Sequence, residues 1–224
     1  MKRWSLSLLV ALIVAVWSTE AKPVGLTAEQ FERLDHGDVV VLDVLPPGDS
    51  RGGQGGTALV RVQATPDTVW RVLVDYPQHR GLYPGVVGAE VLESESDHTL
   101  VRYVVGVGPF SFGFHVNNYP DPARRRLEWR LAQERPNDLF RASWGYWAIE
   151  PRPDGVLLIY AMGARTVLPG FLTRGVERDG LVETLKAVRQ RAEHPADGVA
   201  ARGSRMMGSW PWRHPSSNSP RADS

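Results

Sequence analysis

The chain contains no cysteine, and this absence excludes several kinds of protein. A disulfide framework and thiolate chemistry are both impossible. A lipoprotein signal is excluded as well, because its lipid is attached to a cysteine at the cleavage site. A fold without disulfides has to be stabilised by its hydrophobic core. The chain is long enough for this, since residues 22 to 194 can bury roughly 70% of the surface that they expose when unfolded.

Net charge is also nearly absent. The sequence has 26 lysines and arginines against 25 acidic residues, which gives a formal charge of +1. No long-range basic field therefore attracts nucleic acid, and we expect no nucleic-acid partner. The six histidines show no metal-ligand spacing. We expect neither a metal nor another cofactor.

An apolar run long enough to span a membrane is missing. Lys2 and Arg3 precede an uncharged apolar segment, Trp4–Trp17, which is shorter than the roughly 20 residues that a spanning helix needs. Small residues follow at Thr19 and Ala21, the −3 and −1 positions of a cleavage site. We predict a cleaved signal peptide at 1–21, a periplasmic or secreted protein, and no stable membrane span after cleavage. An uncleaved anchor is the alternative.

The part after this signal begins with predicted elements of mixed type. Thr27 and Gln30 fit a capping box and predict a helix over 28–35. Val39–Leu45 and Thr57–Gln63 are predicted strands that form a hairpin around a glycine-rich loop. A helix is expected to begin at Thr65 and to end near Tyr76, because Pro77 follows. A short helical turn is expected at Leu82 and Tyr83.

From Val86 onward the apolar pattern changes to a period of two. Short breaks with turn residues separate six predicted strands, which indicates an antiparallel meander. A long amphipathic helix is predicted over Phe171–Glu193. We divide the mature chain into an N-terminal part (22–56), a main domain (57–194) and a disordered tail (195–224). The six strands are Val86–Glu93, Leu100–Val107, Phe110–Tyr119, Arg125–Leu131, Arg141–Glu150 and Val156–Ala164.

Four segments of the main domain carry a family resemblance, namely ATPDTVWRVLVDYPQHRGLYPGVVGAEVLE, DPARRRLEW, GYWAIEPRPDG and LPGFLTRGVERDGLVETLKAVRQRAE. They resemble the START-like (helix-grip) superfamily, in which the coenzyme Q-binding and polyketide cyclase branch looks nearest. The resemblance covers about residues 57–193, and the export signal and the extra N-terminal elements depart from it. It implies an α+β helix-grip fold, in which a curved antiparallel sheet wraps around a long C-terminal helix and encloses a hydrophobic cavity. It also implies an apolar ligand.

Strand alternation then suggests which side chains line such a cavity. In the last two strands both faces are apolar, so the choice there follows the family pattern, which leaves Trp144 and Tyr146 on the other face. Core packing is the alternative for each residue. Tyr103, Trp147 and Tyr160 are favoured because each carries a polar atom that a ligand could satisfy. The predicted ligand-binding residues are Tyr103, Val105, Phe112, Phe114, Trp129, Trp147, Leu158, Tyr160, Met162, Leu172 and Val176.

Catalytic motifs are weak. The letters of Gly48–Gly52 match a nucleophile elbow, but the glycines that follow do not favour the helix that such a motif requires. All six histidines are expected to be structural or solvated. No catalytic residue is therefore assigned, and a non-enzymatic protein is favoured.

Three functions remain open. The first is an exported binding or carrier protein for a hydrophobic small molecule such as a lipid, a quinone or a polyketide-like compound. The second is a cyclase or dehydratase that acts on a polyketide-like substrate in the same cavity. The third is a cell-envelope interaction module without ligand, whose working surface includes Trp144, Tyr146 or the tail. The sequence does not indicate an oligomeric state.

Overall fold

A computed structural model of the chain describes residues 25–48, 52–167 and 176–195. The predicted signal peptide lies outside the described residues, as does the predicted tail beyond residue 195. The elements in chain order are α1 (Ala28–Asp35), β1 (Val40–Leu42), β2 (Gln54–Val62), α2 (Pro66–Val74), a 3₁₀ turn (Tyr76–Gln78), β3 (Val86–Ser94), β4 (Thr99–Val107), β5 (Phe110–Asp121), β6 (Arg126–Leu131), β7 (Phe140–Arg152), β8 (Gly155–Thr166) and α3 (Val176–Glu193).

All eight strands form one antiparallel sheet in the order β1-β2-β8-β7-β6-β5-β4-β3. The six strands from β3 to β8 are consecutive neighbours, which confirms the predicted meander. Strand β2 then pairs with β8, and β1 pairs with β2, which confirms the predicted N-terminal hairpin. The curved sheet and the C-terminal helix together form an α+β helix-grip fold, as the sequence predicted.

The sheet has an inner face, which packs against α2 and α3, and an outer face, which packs against α1. Helix α3 contributes Leu181, Leu185 and Val188 to the inner core, where their spacing of three and four residues places them on one side of the helix. The outer cluster is smaller, and in it Leu34 of α1 belongs to the same group of buried residues as Ile159 of β8.

The ends of the helices follow from local sequence. Thr65 caps α2, because its hydroxyl accepts a hydrogen bond from the backbone N–H of Thr68 at 3.2 Å, and Pro66 occupies the first turn. Hydrogen bonds connect the C-terminal end of α3 to two loops. Arg189 donates to the carbonyl of Gly37 at 2.6 Å, and the carboxylate of Glu193 accepts from the N–H of Gln63 at 2.8 Å.

Two predicted elements differ from the structure. The helical turn expected at Leu82 and Tyr83 is a single hydrogen-bonded turn, in which the N–H of Leu82 donates to the carbonyl of His79 at 2.9 Å, and the 3₁₀ helix lies earlier, at Tyr76–Gln78. Pro77 ends α2 by removing a backbone donor, but its fixed φ angle suits the first positions of a new turn. Strand β1 is shorter than predicted, and after it the hydroxyl of Thr57 donates to the carbonyl of Val44 at 2.7 Å.

The predicted helix over 171–193 is described from Val176 onward, and residues 171–175 lie outside the described residues. Within the described ranges, no helix combines the length and the apolar character needed to cross a membrane.

Candidate functional site

The inner face of the sheet brings most of the predicted ligand-binding residues together. Eight of them belong to or pack against one core cluster with α2 and α3, namely Tyr103, Val105, Phe114, Trp129, Trp147, Leu158, Tyr160 and Met162. Phe112 lies two residues before Phe114 on β5 and is half-buried. Leu172 lies outside the described residues, as does the side chain of Val176.

Burial divides this inner face into two parts. Trp147 and Leu158 are 0% exposed, so neighbouring protein atoms cover them completely. Val105, Phe114 and Met162 are only half-buried, although they pack against the same cluster. These three half-buried residues, which we call the rim, are a part of the inner face that neighbouring protein atoms leave partly uncovered.

Ring contacts connect the inner face into one group, which we call the aromatic cluster. Trp147 stacks on Tyr160 with centroids 4.0 Å apart, and Tyr160 in turn lies 5.5 Å from Trp129. Tyr103 stacks on Phe114 at 5.5 Å. Such pairs contribute about 0.5–1.5 kcal/mol each beyond their buried area. The cluster consists of Tyr76, His79, Tyr83, Tyr103, Phe114, Trp129, Phe140, Trp147 and Tyr160.

His79 is the unexpected member of the aromatic cluster. It is 1% exposed, and its Nδ1 lies 2.9 Å from the hydroxyl of Tyr103. The rings of Tyr76 and Tyr83 meet it edge-on, each at 5.4 Å. Burial lowers the pKa of His79 to about 4, the backbone carbonyl of Val72 opposes this shift, and the charge of Arg191 adds to it. The imidazole is therefore neutral at pH 7.

The sequence pattern does not single out His79 as a member of the cluster, although its burial fits the expectation that the histidines are structural or solvated. A signal for its burial is present in the sequence. Leu73, Tyr76, His79 and Leu82 recur at every third position, and all four are buried. This is the period of a 3₁₀ helix rather than of an α-helix or a strand, so a search for periods of 3.6 and 2 does not detect it.

Several polar atoms in the aromatic cluster are buried without a good hydrogen-bond partner. They are the hydroxyl of Tyr76, Nε2 of His79 and Nε1 of Trp147. The hydroxyl of Tyr160 donates only to the thioether of Met162 at 3.5 Å, which is a weak acceptor. Buried polar groups are normally satisfied, so this concentration marks the inner face as a place where further polar contacts can form.

Burial also keeps the tyrosines of the cluster protonated. It raises the pKa of Tyr83 to about 12, although the neighbouring Trp147 indole favours the phenolate. It raises the pKa values of Tyr103 and Tyr160 well above their ordinary range, and the nearby Tyr83 adds to both shifts. At neutral pH the cluster therefore offers uncharged hydroxyl, indole and imidazole groups.

The outer face is covered in the region of Trp144. The indole Nε1 donates to the carbonyl of Pro46 at 3.1 Å, and Trp144 is buried. Tyr146 is half-buried, and the guanidinium of Arg126 lies 3.7 Å above its ring. Both residues lie on the outer face, as predicted, and Trp144 is not available there as an exposed docking surface.

The described segment that follows the serine motif is not the helix that a nucleophile elbow requires. Residues 49–51 lie outside the described residues, but Gly52 and Gly53 lead directly into β2. A nucleophile elbow requires a helix after the serine, and a strand takes its place here. Within 25–48, 52–167 and 176–195, no group of three or more histidine, aspartate or glutamate residues is arranged to hold a metal ion.

A groove of about 380 Å³ opens at the outside of the fold, where the end of α2 meets the β3–β4 hairpin. Tyr76 lines it and is also part of the aromatic cluster, but the Tyr76 hydroxyl itself is buried. The groove is therefore separate from the rim formed by Val105, Phe114 and Met162.

The fold and the apolar inner face define a helix-grip protein. Solved structures agree at the level of the fold. The chain is similar to a STAR-related lipid transfer protein from Xanthomonas axonopodis, with 21% identity over 69% of this chain and 92% of that one (TM-score 0.55). A START superfamily protein from Mycobacterium smegmatis matches with 21% identity over 62% and 97% (TM-score 0.52). A protein from Thermus thermophilus matches with 19% identity over 65% and 97% (TM-score 0.52).

Residues 62–189 match the family described as polyketide cyclase / dehydrase and lipid transport. This match spans more than half of the chain, and the chain belongs to that family. No curated protein shows significant sequence similarity. Family membership supports a function in binding hydrophobic small molecules, as a lipid-transfer protein or as a polyketide cyclase.

Proposed function

We propose that the protein is an exported carrier that binds a hydrophobic small molecule, such as a lipid, a quinone or a polyketide-like compound, against the inner face of its sheet. The observation that carries this proposal is the aromatic cluster with its half-buried rim. Burial of apolar ligand surface there contributes roughly 25 cal/mol per Å². The unpartnered polar atoms nearby supply the few polar contacts that fix a ligand's orientation.

Native mass spectrometry of the protein purified from its own host tests this proposal. We expect one apolar molecule bound to each chain, which solvent extraction releases and identifies. Titration of the extracted protein with fatty acids, quinones and aromatic polyketides then measures its preference. A mass without any bound molecule, combined with no binding in the titrations, would contradict the carrier proposal.

Export is part of the proposal and rests on the pattern of residues 1–21. Fractionation of the host, followed by sequencing of the mature N-terminus, tests it. We expect the protein outside the cytoplasm, with an N-terminus that begins at Lys22. A cytoplasmic protein that retains Met1 would contradict export but would leave ligand binding unaffected.

A second function, a cyclase-type enzyme, is favoured by one observation. The buried pair of His79 and Tyr103 joins a neutral imidazole to a phenol at 2.9 Å, which is the distance needed for proton transfer between them. Together they could move a proton to or from a carbonyl substrate. Incubation with a synthetic poly-β-ketone tests this function, and cyclised products are expected only with the unmodified chain. Equal product formation with the unmodified chain, with His79→Phe and in buffer alone would exclude this catalytic role.

A further inference from the structure

The groove at the end of α2 has apolar walls and a charged side chain at its edge. Its volume of about 380 Å³ is at the lower end of the range for binding pockets. Val91 on β3 is 38% exposed, and Pro77 and Pro120 are exposed as well. Asp75 is exposed, and its carboxylate forms no ion pair within the described residues. The groove is therefore suited to a short segment that combines apolar side chains with a positive charge.

The C-terminal end of α3 lies beside this groove. The guanidinium of Arg191 donates to the backbone carbonyl of Gln78, which directly follows Pro77 in the lining of the groove. The described part of the chain ends four residues after Arg191, at Pro195, and residues 196–224 lie outside it. The chain therefore leaves the described fold close to the groove.

The sequence beyond Pro195 contains a segment with the matching chemistry. Trp210 and Trp212 flank Pro211, and Arg213 follows directly. A tryptophan side chain can remove about 150–250 Å² from water when it is buried, and the arginine supplies a positive charge. The tail as a whole is positive, because its arginines outnumber its aspartates. The arginines are Arg202, Arg205, Arg213 and Arg221, and the aspartates are Asp197 and Asp223.

The tail is also long enough to bring this segment back to the groove. Trp210 lies fifteen residues after Pro195, and the residues between them are rich in alanine, glycine and serine. A flexible chain of that length has an end-to-end distance of roughly 20 Å and reaches at most about 50 Å. A segment tethered in this way has an effective concentration in roughly the millimolar range, so weak contacts are sufficient to hold it.

We propose that segment 210–213 (WPWR) of the same chain binds in this groove, with an indole ring against Val91 and Pro120 and the guanidinium of Arg213 beside Asp75. The inference goes beyond the ligand proposed for the inner face, because the groove is separate from the rim. It assigns the groove as the docking site of the C-terminal tail.

Two-dimensional ¹H–¹⁵N NMR of the full chain tests the inference, because each tryptophan gives one indole signal. The signals of Trp210 and Trp212 are assigned with Trp210→Phe and Trp212→Phe, and they are compared with those of a synthetic peptide of residues 205–215. We expect the signals of the full chain to be displaced from the peptide positions. The displacement should not depend on protein concentration, because the segment binds within its own chain.

Val91→Lys should return both signals close to the peptide positions, because it places a charge on the apolar wall. Val87→Lys is the matched control, since Val87 lies on the same strand and is 46% exposed but does not line the groove. Asp75→Arg should act like Val91→Lys by repelling Arg213, and Arg213→Asp in the same chain should restore the displacement. The remaining indole signals report whether each variant is folded.

Three outcomes would overturn the inference. The first is that the signals of the full chain coincide with those of the peptide. The second is that Val91→Lys leaves displaced signals in place, because the segment would then bind elsewhere. The third is a displacement that grows with protein concentration, because a second copy of the chain would then be the occupant. None of the three bears on the carrier proposal.

Discussion

Trp147 of β7 and Tyr160 of β8 are directly opposite each other in the sheet, and their rings stack with centroids 4.0 Å apart and planes inclined by 15°. Trp147 is fully buried, whereas the nearby rim residues are not. The pair therefore belongs to the packed part of the inner face. Its first role is to stabilise the fold, and we expect a ligand to contact the cluster around it.

We expect Trp147→Ala to lower the free energy of unfolding by about 3–5 kcal/mol, because it removes a large buried side chain and leaves a cavity. Urea unfolding followed by circular dichroism measures the change. Phe110→Ala is the control, since Phe110 is 67% exposed and its loss should cost less than about 0.5 kcal/mol. Similar losses for the two variants would contradict the packing described for Trp147.

Phe112, which lies two residues before Phe114 on β5, tests the part of the inner face next to the rim. Phe112→Ala should shift the preferred ligand length upward in a series of straight-chain alcohols, because it enlarges the space beside Phe114. Each additional CH₂ group that a longer alcohol buries there contributes about 0.8 kcal/mol to binding. Stability should change little, since Phe112 is only half-buried. Phe31→Ala on α1 is the matched control, because Phe31 is exposed. An unchanged length preference with an intact fold would remove Phe112 from the site.

Gly145 lies where β7 passes close to two neighbours. A Cβ atom at this position would overlap the carbonyl oxygen of Ala161 and the ring of Trp129. We expect Gly145→Ala to cost about 1–3 kcal/mol through this overpacking. Gly180→Ala in α3 is the opposite control, since open space surrounds Gly180 and the change should stabilise the helix by about 1 kcal/mol. Thermal unfolding of both variants measures the difference, and a stabilised Gly145→Ala would contradict the strand packing.

The fold could be predicted from the sequence because its signals are local and repeated. The turn residues between the strands and the cap at Thr65 each specify an element, and the order of the elements specifies the meander. The two faces of β7 could not be assigned in the same way, because Trp144, Tyr146 and Trp147 are all aromatic. Their placement depends on tertiary contacts, such as the hydrogen bond from Trp144 to the carbonyl of Pro46.

The polar part of the site was harder to predict for a related reason. His79 follows Pro77 in a segment whose period of three is too short to be recognised as a pattern. Its partner Tyr103 lies 24 residues later on β4, and only the packing of the turn against the sheet brings them together. The sequence therefore indicated Tyr103 as a polar residue on the inner face, but it contained no sign that His79 is its hydrogen-bond partner.

The pH dependence of stability tests the burial of His79. Its pKa is about 4 in the folded protein and 6.5 as the ordinary value in the unfolded chain, so the unfolded chain binds the proton first as the pH falls. The free energy of unfolding should therefore decrease between about pH 6.5 and pH 4, by about 3 kcal/mol from this group. The contribution is fully present above pH 6.5 and absent below pH 4.

His79→Phe should remove this contribution, so the difference in stability between the two proteins should change with pH across that window. All other ionisable groups are common to both proteins, so we expect their contributions to cancel largely in the difference. Phe110→Ala is the control, because it removes an exposed aromatic side chain that carries no ionisable group. Urea unfolding at half-unit intervals from pH 4 to pH 8 measures the three curves. Parallel curves for the unmodified chain and His79→Phe would show that His79 takes up its proton in the folded state and is not buried as described.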